Sequence, residues 1–498
     1  MSISHAAILA ACILAVTGTQ QQRYTDVTQG SGIPALKYAE GVVMTDIDGD
    51  GLPELYLPCV KGPDRLYKNL GGLRFEDATN ASGITNLDGI GAVSGDLDSD
   101  GTTDLYIVRG AYPYGLNVLY AGDNEGGFAD VTDSAGVASR KNGIFSALGD
   151  YDLDGDLDMF VANWGANTLY NNDSAPGRMA FTDVADEAGL GGEGRSWSAV
   201  FSDFDGDSAP DLFVCQGGPG TADTSRLYTN RGGKFEDVTV KAGLSGISSM
   251  GAVSADFDSD GDQDLFVASF DGPDRLFMND GKVSFTDRTA ASGIGSSRSV
   301  GAAAGFVDGD FLPDLVVAGF AGPARLYRNL GGGKFEDVTT GSGLGKKKKN
   351  EGAALGDLDG DGDLDLYIAN YDGANALYRN NLDSPLFLKV LPAGKGRGLA
   401  GAKAMLYRPG KAGMQDGLLA SEEYQAGSGF CSQPPAGMLF RLPDDGPYDL
   451  VVRFPGGRQV IRAGVMRGVV NIGLPDEKVP YSGPKEDGGK TSAGEVMK

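Results

Sequence analysis

An acidic loop of the form D-x-D-x-D-G-x-x-D recurs seven times in this 498-residue chain at intervals of 50 to 54 residues, each time followed at once by a β-rich run such as LYI or LFV. The loops open at Asp46 (DIDGDGLPELYL), Asp96 (DLDSDGTTDLYI), Asp150 (DYDLDGDLDMFV), Asp203 (DFDGDSAPDLFV), Asp256 (DFDSDGDQDLFV), Phe306 (FVDGDFLPDLVV) and Asp357 (DLDGDGDLDLYI). Repetition at this period points to a propeller or a solenoid, because each unit buries its apolar face only against its neighbours.

The spacing within the loop carries chemistry. Calcium takes about six to eight oxygen ligands at roughly 2.3 to 2.6 Å. Acids at positions 1, 3 and 5 of a tight loop converge on one centre, position 7 offers its carbonyl, position 9 adds a carboxylate, and glycine at position 6 permits the turn. A helix–loop–helix site would place Glu at position 12 before a helix. Here position 12 of the first copy is Leu57 and the flanks are β-branched and aromatic, so a calcium loop between two strands is expected. One such loop in an acidic chain reads equally well as a solvated turn; seven in register do not.

The expected ligands are Asp46, Asp48, Asp50 and Glu54; Asp96, Asp98, Asp100 and Asp104; Asp150, Asp152, Asp154 and Asp158; Asp203, Asp205, Asp207 and Asp211; Asp256, Asp258, Asp260 and Asp264; and Asp357, Asp359, Asp361 and Asp365. Copies one and four are altered, with Glu54 at position 9 and Ser208 in place of glycine. Copy six carries Phe306 and Phe311 at positions 1 and 6, keeps Asp308, Asp310 and Asp314, and is expected to fold without metal or to bind it weakly. Five or six Ca²⁺ per chain follow, with an all-oxygen donor set.

Four β-like segments stand in fixed order in each repeat: a small-residue strand before the loop (GAVSGD), one after it (DLYIV), one of the type RLYxN, and one of the type F-x-D-V-T. Asn-x-Gly-Gly between the last two signals a hairpin. Four antiparallel strands in each of seven repeats predict an all-β, seven-bladed β-propeller over residues 23–385. The chain opens on an orphan Tyr24-Thr-Asp-Val-Thr28, whereas the seventh repeat ends at Leu377-Tyr-Arg-Asn380 without a fourth strand. The N-terminal segment is therefore expected to complete the last blade and close the ring.

These loops and strands resemble the FG-GAP/VCBS repeats of integrin α-chain propellers over residues 24–381. The resemblance implies Ca²⁺ between the first two strands of a blade and a propeller used for recognition. Phe-Gly and Gly-Ala-Pro elements are only loosely present (GFAGPA, 319–324), so integrin ligand chemistry is not carried over. Residues 386–474 contain Gly427-Ser-Gly-Phe430 with Ser432-Gln433, and Val452-Arg-Phe-Pro455 with Gly457. These resemble the ASPIC/UnbV domain that follows such propellers in the cartilage acidic protein family, with Phe430 where Tyr is commoner and Phe454 where Trp is commoner. From pattern alone this is a small β domain in which Gly427 and Gly429 make a tight turn. Residues 475–498 are polar and aperiodic and are expected to be disordered.

Net charge is −26 at pH 7, which argues against nucleic acid as a partner because phosphate neutralisation needs Lys and Arg. The acid is concentrated: residues 23–385 hold 57 acids and 27 bases, and residues 386–474 hold 6 and 11. Of those 57 acids, 27 occupy loop ligand positions, so metal binding accounts for much of the acidity. The apolar run from Ala6 to Val16 has the length of a secretory leader cleaved before about residue 20, and is too short to span a bilayer. Leu9-Ala-Ala-Cys12 also resembles a lipoprotein box, so a secreted, periplasmic or surface-anchored monomer is expected. Beyond the leader stand Cys59, Cys215 and Cys431; Cys59 and Cys215, in repeats far apart on a ring, read as isolated core thiols, and no disulfide framework is indicated.

The one histidine, His5, lies in that leader, so no Ser-His or Cys-His nucleophile pair is available beyond it, and no catalytic residue is assigned. Loops opposite the calcium loops are the expected ligand site. Trp164, Trp197 and the pair Tyr112/Tyr114 fall there, and either stack on sugar or cover the ring core. Arg140, Lys141, Arg195, Arg298 and the run Lys346 to Lys349 fall on the same side. The reading is a recognition or adhesion module for an extracellular glycan or protein. A lyase acting on an anionic polysaccharide through Tyr, Arg or Lys is the alternative.

Overall fold

Each repeat folds as an antiparallel meander whose second strand, outside repeat three, is buried throughout, as in Glu54–Leu57 and Asp104–Val108, because it is flanked within its own sheet and covered by adjacent sheets. The computed structural model describes residues 23–473 apart from 86, 111–114, 219, 296–297, 346–348, 383–385 and 394–399. The expected leader and tail, Tyr112, Tyr114 and Lys346 to Lys348 lie outside the described residues. In repeat one the strands are Val43–Thr45, Glu54–Leu57, Arg65–Asn69 and Phe75–Asp77, paired in that order. The last sheet consists of Asn350–Gly356, Asp365–Asn370 and Ala376–Asn380, and takes Tyr24–Asp26 as its fourth strand, with Tyr24 opposite Asn380 and Asp26 opposite Tyr378. First strands of successive repeats lie against one another in a cycle, that of repeat seven meeting that of repeat one. The all-β propeller is thus closed by the N-terminal strand.

Two local expectations change. The F-x-D-V-T strand is only three residues long (Phe75–Asp77), because its Asp and Thr are used in a turn. Thr79 N–H donates to Asp77 Oδ1 at 3.0 Å, and Thr79 Oγ1 accepts from Leu66 N–H at 3.0 Å. The segments around Trp164 and Trp197, read as irregular loops, extend the strands Asp158–Ala166 and Glu193–Ser202. Trp164 pairs opposite Arg195 and Ala166 opposite Glu193, joining the sheets of repeats three and four. Trp164 also pairs opposite Asn142, whereas Gly165 and Ala166 pair with Gly194 and Glu193 of the neighbouring repeat.

Adjacent repeats are clasped by the Asn of RLYxN. Asn279 Nδ2 donates to Gln263 O of its own loop at 3.0 Å and to Phe204 O of the preceding loop at 2.8 Å. Asn69 does the same to Pro53 and Leu358, carrying the clasp across the junction between repeats one and seven. Asn172, Asn230, Asn329 and Asn380 repeat it. Repeat two has Gly122 at this place, and Thr103 Oγ1 bonds Asp46 O at 3.0 Å instead.

The C-terminal region forms two small sheets. One orders Met438–Arg441, Phe387–Ala393 and Gly468–Gly473; the other orders Leu418–Glu423, Lys403–Tyr407, Tyr448–Arg453 and Gln459–Val465. It packs on the loop-bearing face of the ring: Ser421 Oγ donates to Asp256 Oδ2 at 2.6 Å, Gln415 Nε2 to Asp260 O at 2.7 Å, and Gly456 N–H to Ser208 O at 2.9 Å. Phe306 lies 5.6 Å from Phe440 and Phe311 lies 6.3 Å from Tyr448, ring centre to ring centre. The aromatic replacements in copy six are therefore a docking surface.

From this unit the segment around Phe430 enters the axis of the ring, where Ala426 bridges Leu148, Gly429 bridges Ala252 and Gln433 bridges Val43. Phe430, Cys431, Ser432 and Gln433 are all buried. Gly429 does turn at positive φ (68°), but a Cβ there would also stand 2.4 Å from Ala302 O, so the tight turn is one that fits inside the ring. Gly41 is required for the same reason from the other side, since its Cβ would stand 1.6 Å from Cys431 O. Cys59 and Cys215 are free and buried, as expected, and so is Cys431.

Three outcomes follow from these contacts. Tyr24 is fully buried and closes the ring, so Tyr24→Ala should cost about 3–5 kcal/mol in urea unfolding. Asn279→Ala orphans two buried carbonyls and should cost about 1–3 kcal/mol by the same measurement. Glu422 faces a cavity of about 100 Å³ between ring and C-terminal unit, and burial pushes its carboxyl from 4.5 up to about 8. Because the folded state holds that proton and the unfolded state does not, its stability contribution is full below about 4.5 and is lost as pH rises to about 8. At fixed saturating calcium, Glu422→Gln should flatten that part of the decline.

Candidate metal centres

The loops sit where a first strand turns into a second, and the ninth residue holds that turn. One oxygen of Asp211 accepts Phe204 N–H at 3.0 Å and the other accepts Asn230 N–H at 2.8 Å. Asp104 repeats this at 2.7 and 3.0 Å, and Asp264 at 2.9 and 2.8 Å. Glu54, an altered ligand by sequence, reaches Ile47 N–H at 2.8 Å and Asn69 N–H at 3.2 Å. Its extra methylene leaves the bracing role intact.

Carboxylate oxygens within 4.8 Å of one another group as Asp46, Asp48 and Asp50; Asp96, Asp98 and Asp104; Asp150, Asp152 and Asp158; Asp203, Asp205 and Asp211; and Asp256, Asp258 and Asp260. These acids can hold metal ions. Asp100, Asp154 and Asp207 lie outside these five groups, each accepting a backbone N–H two residues further on. Asp357 and Asp359 are both raised, first by burial, and Arg379 lies 3.7 Å from Asp359.

Burial dominates the electrostatics, with neighbouring acids adding to it. Asp104 and Asp211 are pushed up to about 8, Asp264 to about 9 and Asp150 to about 7, although backbone N–H groups pull the other way. Asp48 Oδ1, Asp150 Oδ1, Asp203 Oδ1 and Asp258 Oδ1 are buried without a hydrogen-bond partner. Orphaned carboxylate oxygens in an all-oxygen set are what a hard divalent cation satisfies, so the residues fit Ca²⁺. Sequence reasoning missed Asp156, Asp262 and Asp363, having assigned position 7 only a carbonyl. Asp156 Oδ1 and Asp363 Oδ1 are likewise buried and unpartnered. The signal was there as D-x-D-x-D-G-D-x-D in copies three, five and seven. In copy six, Asp310 is pushed up to about 7 by burial and by Asp308, so those acids crowd one another without an acid at position 1.

On the opposite side, Trp164 is 38% exposed, with the Arg195 guanidinium 4.8 Å over its ring and Trp197 4.9 Å away edge-on. Trp197 donates through Nε1 to Gly217 O at 2.8 Å and lies 6.4 Å from Phe430. It therefore covers the axial segment, while Trp164 stays available. The expected basic face is partly neutralised: Lys141 pairs with Asp183 at 2.8 Å, Lys349 pairs with Asp372, and Arg298 lies 4.5 Å over Phe270. Lys61, unremarked in the sequence, stands between Tyr38 and Tyr371 at 5.0 and 4.9 Å.

The FG-GAP-like repeat model matches residues 46–107, 96–161, 150–214, 203–267, 256–305 and 307–368. Human cartilage acidic protein 1 is 30% identical over 284 residues, 49% of this chain and 42% of that protein. The Xenopus tropicalis protein of the same name is 27% identical over 507 residues, 90% of this chain and 75% of that one. Thus the chain spans less than half of the human relative and three quarters of the frog one. Among solved structures, BBS1N in complex with ARL6DN is 13% identical with a TM-score of 0.47, covering 73% of this chain and 98% of that one. With matches along most of the ring, the chain belongs to the FG-GAP-like repeat family.

Proposed function

We propose that this chain is a secreted recognition module in which Ca²⁺ stabilises a propeller (23–385) that presents a ligand surface, and the unit 386–474 is an ASPIC/UnbV-type cap. The observation that carries the metal reading is the set of buried, unpartnered carboxylate oxygens in five loops, at Asp48, Asp150, Asp203, Asp258 and Asp363. Each is costly in a folded chain unless a cation or a proton meets it. The likeness to cartilage acidic protein 1 supports an extracellular setting.

The ligand surface is the ridge where repeats three and four join. There an exposed Trp164, backed by Trp197 and capped by Arg195, offers a flat ring with a cation beside it. That combination suits a sugar carrying a carboxylate or sulfate, or an acidic loop of a protein.

Native mass spectrometry in millimolar calcium should find several bound Ca²⁺, and chelation should lower the melting temperature by many degrees through mass action. A glycan array read with and without calcium should show binding that Trp164→Ala reduces about tenfold through loss of stacking. Release of a shortened glycan would replace recognition by a lyase activity. No bound calcium would sink the metal reading.

A further inference from the structure

The loops share one acid pattern but differ in the cations beside them. The third strand of a repeat ends L-[YF]-x-N, or L-Y-x-G in repeat two, and in repeats one and seven the residue x meets acids of the loop. In repeat one x is Lys68, whose ammonium bonds Asp48. In repeat seven it is Arg379, 3.7 Å from Asp359 and 3.8 Å from Asp361. In repeat four Arg231, just beyond the motif, lies 2.6 Å from Asp205 and 3.2 Å from Asp207. Loop five has Met278 at x, but Lys403 of the C-terminal unit reaches in to Gly261 O, near Asp256.

Loops two and three are different. Their x residues are Ala121 and Asn171, and Asn171 Oδ1 accepts from the Tyr151 hydroxyl at 2.8 Å. Among the described residues no Lys or Arg forms an ion pair with an acid of either loop. The C-terminal unit touches loops four to seven through Gly456, Ser421, Phe440 and Arg441, and among the described residues no hydrogen bond joins it to loop two or three.

We propose that the calcium centres fall into two affinity classes set by these neighbouring side chains: loops two and three bind tightly, while loops one, four, five and seven bind more weakly because each must share its acids or its surroundings with a fixed cation. This rests on the reading of the loops as calcium centres. A monovalent cation a few ångströms from a divalent one repels it, and an ion-paired carboxylate must give up its partner before it ligates. At near-surface dielectric the two effects amount to about a tenfold loss of affinity or more. The tight loops are neighbours on the ring, so at falling calcium one arc stays loaded while the remainder empties.

Calorimetric calcium titration of the whole chain, with native mass spectrometry to count ions, tests this. Two equivalents should bind about tenfold or more tighter than the others. Asp98→Asn should delete a tight equivalent and Asp48→Asn a weak one. Lys68→Met should move one weak equivalent up by about tenfold; Lys68 is 46% exposed, and a melting point unchanged at saturating calcium shows that the variant is folded. A single affinity class, an unchanged profile for Lys68→Met, or loss of a weak equivalent from Asp98→Asn overturns the proposal. Binding in one class would leave the calcium reading standing, whereas no binding at all would remove both.

Discussion

The ring depends on a buried carboxylate at the ninth position of each loop. Its two oxygens accept one N–H from the loop and one from the third strand, so a single side chain fixes the first hairpin against the second. Once that Asn N–H is fixed, the Asn amide is aimed at two carbonyls, one of them in the preceding repeat. Sheet geometry thereby becomes ring geometry, and the same side chain that braces the loop sets the spacing of the blades. Glu54 shows that the constraint is on two acceptor oxygens and not on Asp itself.

That arrangement has an electrostatic consequence. A carboxylate buried for bracing brings its loop partners close, and Asp264 is pushed up to about 9 by desolvation and by Asp258 and Asp256, against the pull of its backbone donors. The strain is relieved by protons at low pH, by a divalent cation, or by a base such as Lys68, Arg231 or Arg379. The chain's net charge of −26 is in large part the sum of these loops. Its acidity is a property of the bracing motif before it is a property of the surface.

The motif period, the four strands of a blade, the closing N-terminal strand and the acid clusters were legible in the sequence, because each is written in residues within about 50 positions of one another or repeated at that period. What escaped was long-range and unrepeated. Gln433 pairs with Val43, and Gly41 faces Cys431 O, with no periodicity to announce either contact. Phe306 and Phe311 read as decay of a metal loop when viewed against the other copies. They gain their meaning from Phe440 and Tyr448, which lie on a different fold unit. The strand segments around Trp164 and Trp197 were hidden because strand pairing depends on a partner, not on local composition.

The axial segment bears on where recognition takes place. A propeller commonly offers its central channel as a binding cavity. Here the channel is filled by this chain's own residues: Phe430, Cys431 and Gln433 are buried, and Gln433 Nε2 donates to Ser94 O at 2.9 Å while its Oε1 accepts from Ser94 N–H at 2.9 Å. A ligand entering the axis would have to break these bonds and expose Phe430, whereas Trp164 is already 38% exposed. Trp197 belongs to both regions, packed on Phe430 below and on Trp164 beside it. The Trp164–Trp197 pair therefore rests on the segment that closes the channel, so the C-terminal unit and the Trp164 ridge are mechanically linked through the ring although they lie on opposite faces of it.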